Sequence, residues 1–429
     1  MAVPSTSQVY SHLGNAANVV FRVYDRVLRK IVPLEAGIYK QIPDIKDLRG
    51  NGIGDAYYFK IIDGYNESGV GTRAYDAAVP TARRTTFLEG SITERALYAA
   101  IKVDLRSIAR MKGAGSPVGD LGVFEVELAA KVAAKELARM VYCDGTGIIA
   151  TAGVAGTTVT ALTVVKTGGP RASGALYIRK NAMLDSYTSG GAQEIDSESV
   201  SAVDPGAATD AITLGTTATW TGSSLIYRED SYIAAATNDW EGLEKLHDDG
   251  TISSTYAGIT VSSNPGWAGI IDTAGSNRAF DPEILEKVLI RQRLNSGQKV
   301  RGLKILSNLG QPAMYWKYTM PAFHVNVGAQ GPKFDLGVAD AQPYKGIPWQ
   351  TDVNCPFGRI YIPDFEYTGK FEMKPFGPPA YGLGNQGWTW DATNRTDAAE
   401  TYRAMYGNFV CKRRDTSVII KALTEEFLI

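Results

Sequence analysis

Cysteine and histidine are scarce in this sequence, with three of each among 429 residues. Three thiols (Cys143, Cys355, Cys411) cannot build a disulfide framework in a chain of this length. They read as ordinary thiols of a reducing compartment, and Cys143, inside an apolar helical run, as a core residue. The imidazoles (His12, His247, His324) are scattered, with no second His or Cys at a ligand spacing, which argues against a structural zinc site. An excess of either charge is also missing, since 44 Lys and Arg face 45 Asp and Glu. That balance argues against a dedicated nucleic-acid or membrane-surface binder and gives little protection against self-association. The longest uncharged run, 145–165, is dense in Gly and Thr and reads as strands and turns, not a membrane helix. The first residues lack a basic segment followed by an apolar one, so no signal peptide is expected. Neither a Gly-x-Ser-x-Gly elbow nor a Walker A loop occurs. Ser296-Gly-Gln-Lys299 fits Ser-x-x-Lys only at a helix end, where solvated polar residues are expected. No enzyme and no cofactor is expected.

What is present suits a folded chain. Hydrophobic residues make up 44% and charged residues 21%, too apolar for disorder. The length suggests two or three domains. Residues 1–54 read as an irregular arm with one candidate helix at 19–31 and a glycine hinge at Gly50, Gly52 and Gly54. Residues 55–92 read as a long two-stranded excursion, out along 57–62 and back along 84–88. Its tip has few bulky residues and cannot build a core, so it is expected to lie against something else. Residues 120–143 form the best helix, with Phe124, Leu128, Val132, Leu137, Met140 and Val141 as its expected apolar stripe. Residues 148–232 are rich in Thr, Ser, Gly and Ala and carry five basic against eight acidic residues, which reads as an all-β insertion. A helix over 239–246 and another opened by Asp281-Pro282-Glu283 follow, then a buried strand near 300–306. The end is strand-rich, closing on a strand pair at 402–412 and 417–422.

Two groups of residues stand out as candidate inter-subunit contacts. Arg73, Arg83, Arg84 and Arg95 lie on or beside the excursion, and residues 1–112 hold sixteen basic against eleven acidic residues. They suit salt bridges to another subunit as well as a solvated hairpin edge. Trp388 and Trp390 have no basic groove around them, so packing at an interface is favoured over base stacking. Asp248 and Asp249 read as solvated loop carboxylates.

The order of these parts resembles the major capsid proteins of tailed bacteriophages, the Hong Kong 97-type fold. The similar stretches are Arg84-Thr-Thr-Phe87 leading into 96–103, Trp240-Glu-Gly-Leu243 to Gly250, Tyr256-Ala-Gly-Ile259, Asn264-Pro-Gly-Trp267, Gly346-Ile-Pro348 to Pro356, Gly358-Arg-Ile-Tyr361 and 388–408. The resemblance implies an α+β fold with an N-terminal arm (1–54) and an extended loop (55–92). It implies a peripheral domain (93–147 and 345–416) with a spine helix at 120–143, and an axial domain (233–344 and 417–429). The all-β insertion occupies 148–232. Implied partners are copies of the same chain in hexamers and pentamers, scaffolding and portal proteins, a possible decoration protein, and packaged DNA held weakly and without sequence preference. No membrane is implied; the place is a virion capsid assembled in the host cytoplasm. Some relatives weld subunits through a Lys–Asn bond from the extended loop, but residues 66–83 contain no Lys. An encapsulin-like shell and a β-rich cell-surface adhesin are the alternatives.

Overall fold

The computed structural model describes residues 37–45, 56–64, 70–72, 75, 78, 84–104, 121–206, 209–232, 239–296, 302–323, 343–377, 389–390 and 398–425. The helix expected at 19–31 and the glycine hinge lie outside them. The chain divides into two compact units, 1–46 with 94–141 and 370–408, and 47–93 with 142–369 and 409–429.

In the first unit, helix Leu121–Met140 lies on strand Arg95–Asp104, which pairs antiparallel with Ala398–Cys411. Alternation along the pair sends Ile101, Val103, Thr401, Arg403 and Met405 inward. The helix is rich in Ala, the strongest helix former, and it buries Val126, Ala130, Ala133, Ala134, Leu137 and Ala138. This corrects the expected stripe. Leu137, Met140 and Val141 are buried, but Leu128 and Val132 face outward, Val132 at 62% exposure. The alanines form the inner face because short side chains let the helix lie close to the sheet.

The end of the arm is fixed in this unit. Helix Gly37–Gln41 buries Ile38 and Tyr39. The Tyr39 hydroxyl donates to Glu372 at 2.5 Å, and the Lys370 ammonium sits 3.7 Å from the Tyr39 ring centre. Ile45 and Lys370 exchange the backbone around them, with Ile45 N–H donating to Lys370 O and Lys370 N–H to Pro43 O, each at 3.0 Å.

The second unit holds two six-stranded sheets with separate cores, besides two two-stranded ones. One has the order 270–272, 418–420, 360–362, 305–307, 347–351, 343–344. Its central runs Ile360–Ile362, Ile305–Ser307 and Val418–Ile420 are buried throughout, as apolar strands covered on both faces are. Leu285, Val288 and Leu289 of helix Pro282–Ser296 and Met314 of helix Gly310–Phe323 join that core. The expected helix start is present: Glu283 N–H donates to Asp281 Oδ1 at 2.9 Å, with Pro282 first in the helix. Two expectations need correction. Strands Ile347–Thr351 and Ile360–Ile362, expected with the spine helix, join the other unit's sheet: 347–351 pairs with 305–307 and 343–344, and 360–362 with 305–307 and 418–420. The closing strands also do not pair with each other; Ala398–Cys411 pairs with 95–104, and Val418–Ile420 with 270–272 and 360–362.

The other sheet is antiparallel, in the order 150–151, 225–228, 183–187, 193–204, 209–220, 156–165. Its ends meet. Ala152 bridges Val164, and Gly153 N–H donates to Thr163 O at 2.8 Å. The strands therefore ring a filled core of Leu162, Val164, Leu184, Ile195, Ile212, Leu214, Trp220 and Ile226. Closure leaves no long free edge. The loop 168–173 ties this barrel to 354–358. Gly169 N–H donates to Phe357 O at 2.9 Å, Phe357 N–H to Ser173 Oγ at 3.1 Å, and Tyr177 Oη to Asn354 O at 2.9 Å.

Candidate assembly surface

Strands Ala56–Gly64 and Thr86–Thr93 make the excursion a hairpin. Side chains alternate between its faces. One face buries Tyr57, Phe59 and Ile92. Phe59 lies across Gly90, where an added Cβ would fall 2.7 Å from the ring, so only glycine fits beneath it. The ring also meets Trp267 at 6.4 Å, Trp267 stacks with Tyr256 at 6.2 Å, and Ser91 N–H donates to Ala257 O at 2.9 Å. The excursion is thus anchored at its base, on 256–267 of its own chain. The opposite face carries Tyr58, Ile62 and Phe87, with Ile62 directly across from Phe87, and all three are exposed. Val70 and Tyr75, toward the tip, are 82% and 96% exposed. Apolar side chains gathered on one face of a hairpin mark an interaction surface.

The first unit has exposed apolar residues of its own. Leu128 and Val132 lie one turn apart on the helix, and Tyr98 and Tyr402 on the outer face of the strand pair. Lys102 and Glu400 form an ion pair at 3.1 Å on that sheet face.

Of the candidate contact residues, Arg84, Arg95 and Trp390 lie among the described ones. Arg84 precedes the second hairpin strand, exposed and with no ion pair among the described residues. Arg95 opens a strand of the other unit, opposite Gly407, and is half-buried. Trp390 pairs through its backbone with Ala399. Arg73, Arg83 and Trp388 lie outside the described residues. The apolar residues Tyr58, Ile62, Phe87, Leu128 and Val132 went unnoticed in the sequence as surface positions. The period-2 pattern of 57–62 could have found the hairpin set; nothing in the helix sequence distinguishes its outer Leu and Val from core residues.

The segment 239–250, rich in charged and titratable groups, is core. Trp240, Leu246, His247 and Asp248 are fully buried. Asp248 is not solvated as expected; it accepts from the N–H groups of Gly250, Ile252 and Ser253 at 3.0, 2.9 and 3.1 Å. Burial, and then the nearby Arg414 charge, pull the His247 pKa down to about 3, so its ring is neutral. Burial pushes the Cys355 thiol well up and the Cys411 thiol to about 11, so both are unreactive packing groups. Among the described residues, no group of three His, Cys, Asp or Glu side chains is placed to hold a metal ion. No described helix is long and apolar enough to cross a membrane.

No protein-family model and no curated protein sequence matches the chain. Solved structures do. A subunit of the cyanophage A-1(L) capsid matches over 87% of this chain and 90% of its own, at 15% identity and a TM-score of 0.55. The chain has a phage capsid fold. A gene transfer agent capsid subunit is also similar, at 11% identity over 91% of each chain and a TM-score of 0.44. So is an encapsulin from Synechococcus elongatus, at 9% identity over 89% of this chain and 90% of that one, with a TM-score of 0.41. The mixed α+β architecture is that of the Hong Kong 97-type capsid fold, as the sequence resemblance implied.

Proposed function

We propose that this chain is the major capsid protein of a tailed bacteriophage. Copies assemble as hexamers and pentamers into an icosahedral shell around double-stranded DNA. The observation that carries this is the near end-to-end match to a phage capsid subunit, 87% of one chain on 90% of the other. The anchored hairpin with an apolar outer face supports it. Such a face exposes Tyr58, Ile62 and Phe87 to water in the single chain and covers them when a neighbour lies across it. Identical wedges joined head to tail close into rings. The outward Leu128 and Val132 of the helix serve the same contact between copies. Arg84 and Arg95 add ion pairs worth about 0–1 kcal/mol each where they stay exposed. A separate scaffolding protein and a portal complete the particle. DNA touches the inner wall weakly, in keeping with a net charge of −1. The barrel faces outward, where a decoration protein sits on its strand faces or loops rather than on a sheet edge.

Electron microscopy of the purified protein tests this. Uniform icosahedral shells are expected, and a lasting monomer at high concentration overturns the proposal. Shells that enclose a protein cargo and never DNA in infected cells would make it a nanocompartment instead.

A further inference from the structure

A cavity of about 370 Å³ opens beside the loop that ties the barrel to the neighbouring sheet. Arg171, Arg359 and Lys421 line it, with Asp144 and Glu244 as the only carboxylates among its lining residues. Both carboxylates are occupied. Asp144 accepts from the Thr146 N–H at 3.1 Å and hydroxyl at 2.5 Å, and from Arg171 Nε at 2.5 Å. Glu244, 2% exposed, accepts from the Tyr361 hydroxyl at 2.6 Å on one oxygen and pairs with Lys421 at 3.2 Å on the other. That second oxygen is also the nearest carboxylate atom to Arg359, whose Nε stays 3.7 Å away. Arg359 thus shares that oxygen with Lys421 as the more distant ion-pair partner. Its side chain is only 16% exposed, its Nε is buried without an acceptor, and it makes no hydrogen bond among the described residues. A buried N–H such as this Nε is costly without an acceptor, because it has lost water and gained no oxygen in exchange. One loop position beside it is kept free of a side chain. Gly169 has φ +93°, and a Cβ there would fall 2.6 Å from the Arg359 guanidinium. Glycine leaves room for the fork to lie along the loop.

We infer that this cavity binds a tetrahedral oxyanion, a phosphate group held by Arg359 with Arg171 and Lys421 around it. The fork geometry of guanidinium matches two oxygens of such a group, and the three cations exceed the two carboxylates by one charge. The inference stands on the cavity alone and does not depend on capsid assembly. Bound there, the anion ties Arg171 of the barrel loop to Arg359 and Lys421 of the sheet, so it stiffens the joint of the insertion.

Calorimetric titration of the full-length protein with inorganic phosphate, at ionic strength held with chloride, tests it. Saturable binding of one phosphate per chain is expected, competed by sulfate and weakened at least about tenfold in Arg359→Gln. No saturable binding by the unaltered protein, or equal affinity in Arg359→Gln, overturns it. Should Arg359→Gln fail to fold, the melting temperature decides. It is expected to rise in phosphate relative to chloride for the unaltered protein and to rise less for Lys421→Gln. No rise, or equal rises, overturns the inference. A single-stranded oligonucleotide is the second titrant: if it displaces phosphate, the natural ligand is a nucleic-acid backbone phosphate, and if it does not, a free oxyanion.

Discussion

The Arg414 guanidinium lies over the ring of Tyr256, 5.1 Å from its centre, with both residues fully buried. Its Nε donates to Leu246 O at 2.8 Å and a terminal nitrogen to Lys245 O at 3.1 Å. Tyr256 in turn donates nothing to Arg414 but accepts the Cys411 N–H at 3.1 Å. One cation thus holds the end of the 243–246 helix, the segment under the hairpin base and the last strands together. Arg414→Met removes the donors, leaving Leu246 O without its partner and Lys245 O with only the long bond from Asp248 N–H at 3.4 Å. A loss of about 2–5 kcal/mol is expected in denaturant unfolding of the subunit. A loss below 1 kcal/mol would show that this packing is not what fastens the hairpin base.

His247 predicts a pH dependence. Its pKa is about 3 in the fold against 6.5 for the free side chain. The folded value is depressed, so the unfolded chain binds the extra proton below pH 6.5. Stability from the neutral ring is complete above that pH and is lost as pH falls toward 3, by about 1.4 kcal/mol per unit at most. His247→Gln should flatten the pH 4–6.5 limb of a stability profile. An unchanged slope there would assign acid sensitivity to other groups.

Gly90→Val should break the hairpin base. The new side chain enters the space of the Phe59 ring, 2.7 Å from the Cβ position. Phe59 must leave Trp267, and the expected sign is faster proteolysis of 56–93 with the remainder of the chain intact. Limited proteolysis with mass spectrometry reads this directly; equal cleavage rates would contradict it.

Phe87→Ser and Val132→Asp change exposed residues and should leave subunit stability within about 0.5 kcal/mol. Assembly should suffer. Covering a side chain such as Phe87 contributes about 1.5–3 kcal/mol per contact, so a rise of roughly tenfold to a hundredfold in the concentration needed for shells is expected by light scattering. Normal assembly of both variants would remove these faces from the interface.

Residues 66–83 contain no Lys, so mature shells should fall apart to single chains in hot detergent. A ladder of covalent multimers on a denaturing gel would contradict this.

Much of the architecture was legible in local pattern. Alternation in Tyr57-Tyr58-Phe59-Lys60-Ile61-Ile62 marks a strand, Asp281-Pro282 marks a helix start, and the Thr- and Gly-rich run from 148 marks a β-rich part, because each depends only on near neighbours. Side-chain size does not say which face of an Ala-rich helix turns inward, so Leu128 and Val132 were placed in the core when the alanines occupy it. Charge does not say whether Asp248 meets water or three backbone N–H groups. Pairing partners were also hidden: Ile360–Ile362 lies between strands more than fifty residues away in each direction. By itself, then, the sequence determined many of the segments that are strands and helices, the near balance of charge, and the order that resembles a capsid chain. Only the tertiary structure decided the ring closure of the barrel, the burial of 239–250 and the gathering of Arg171, Arg359 and Lys421 around one cavity. Each of these depends on which distant groups share a space, and local propensity carries no information about that.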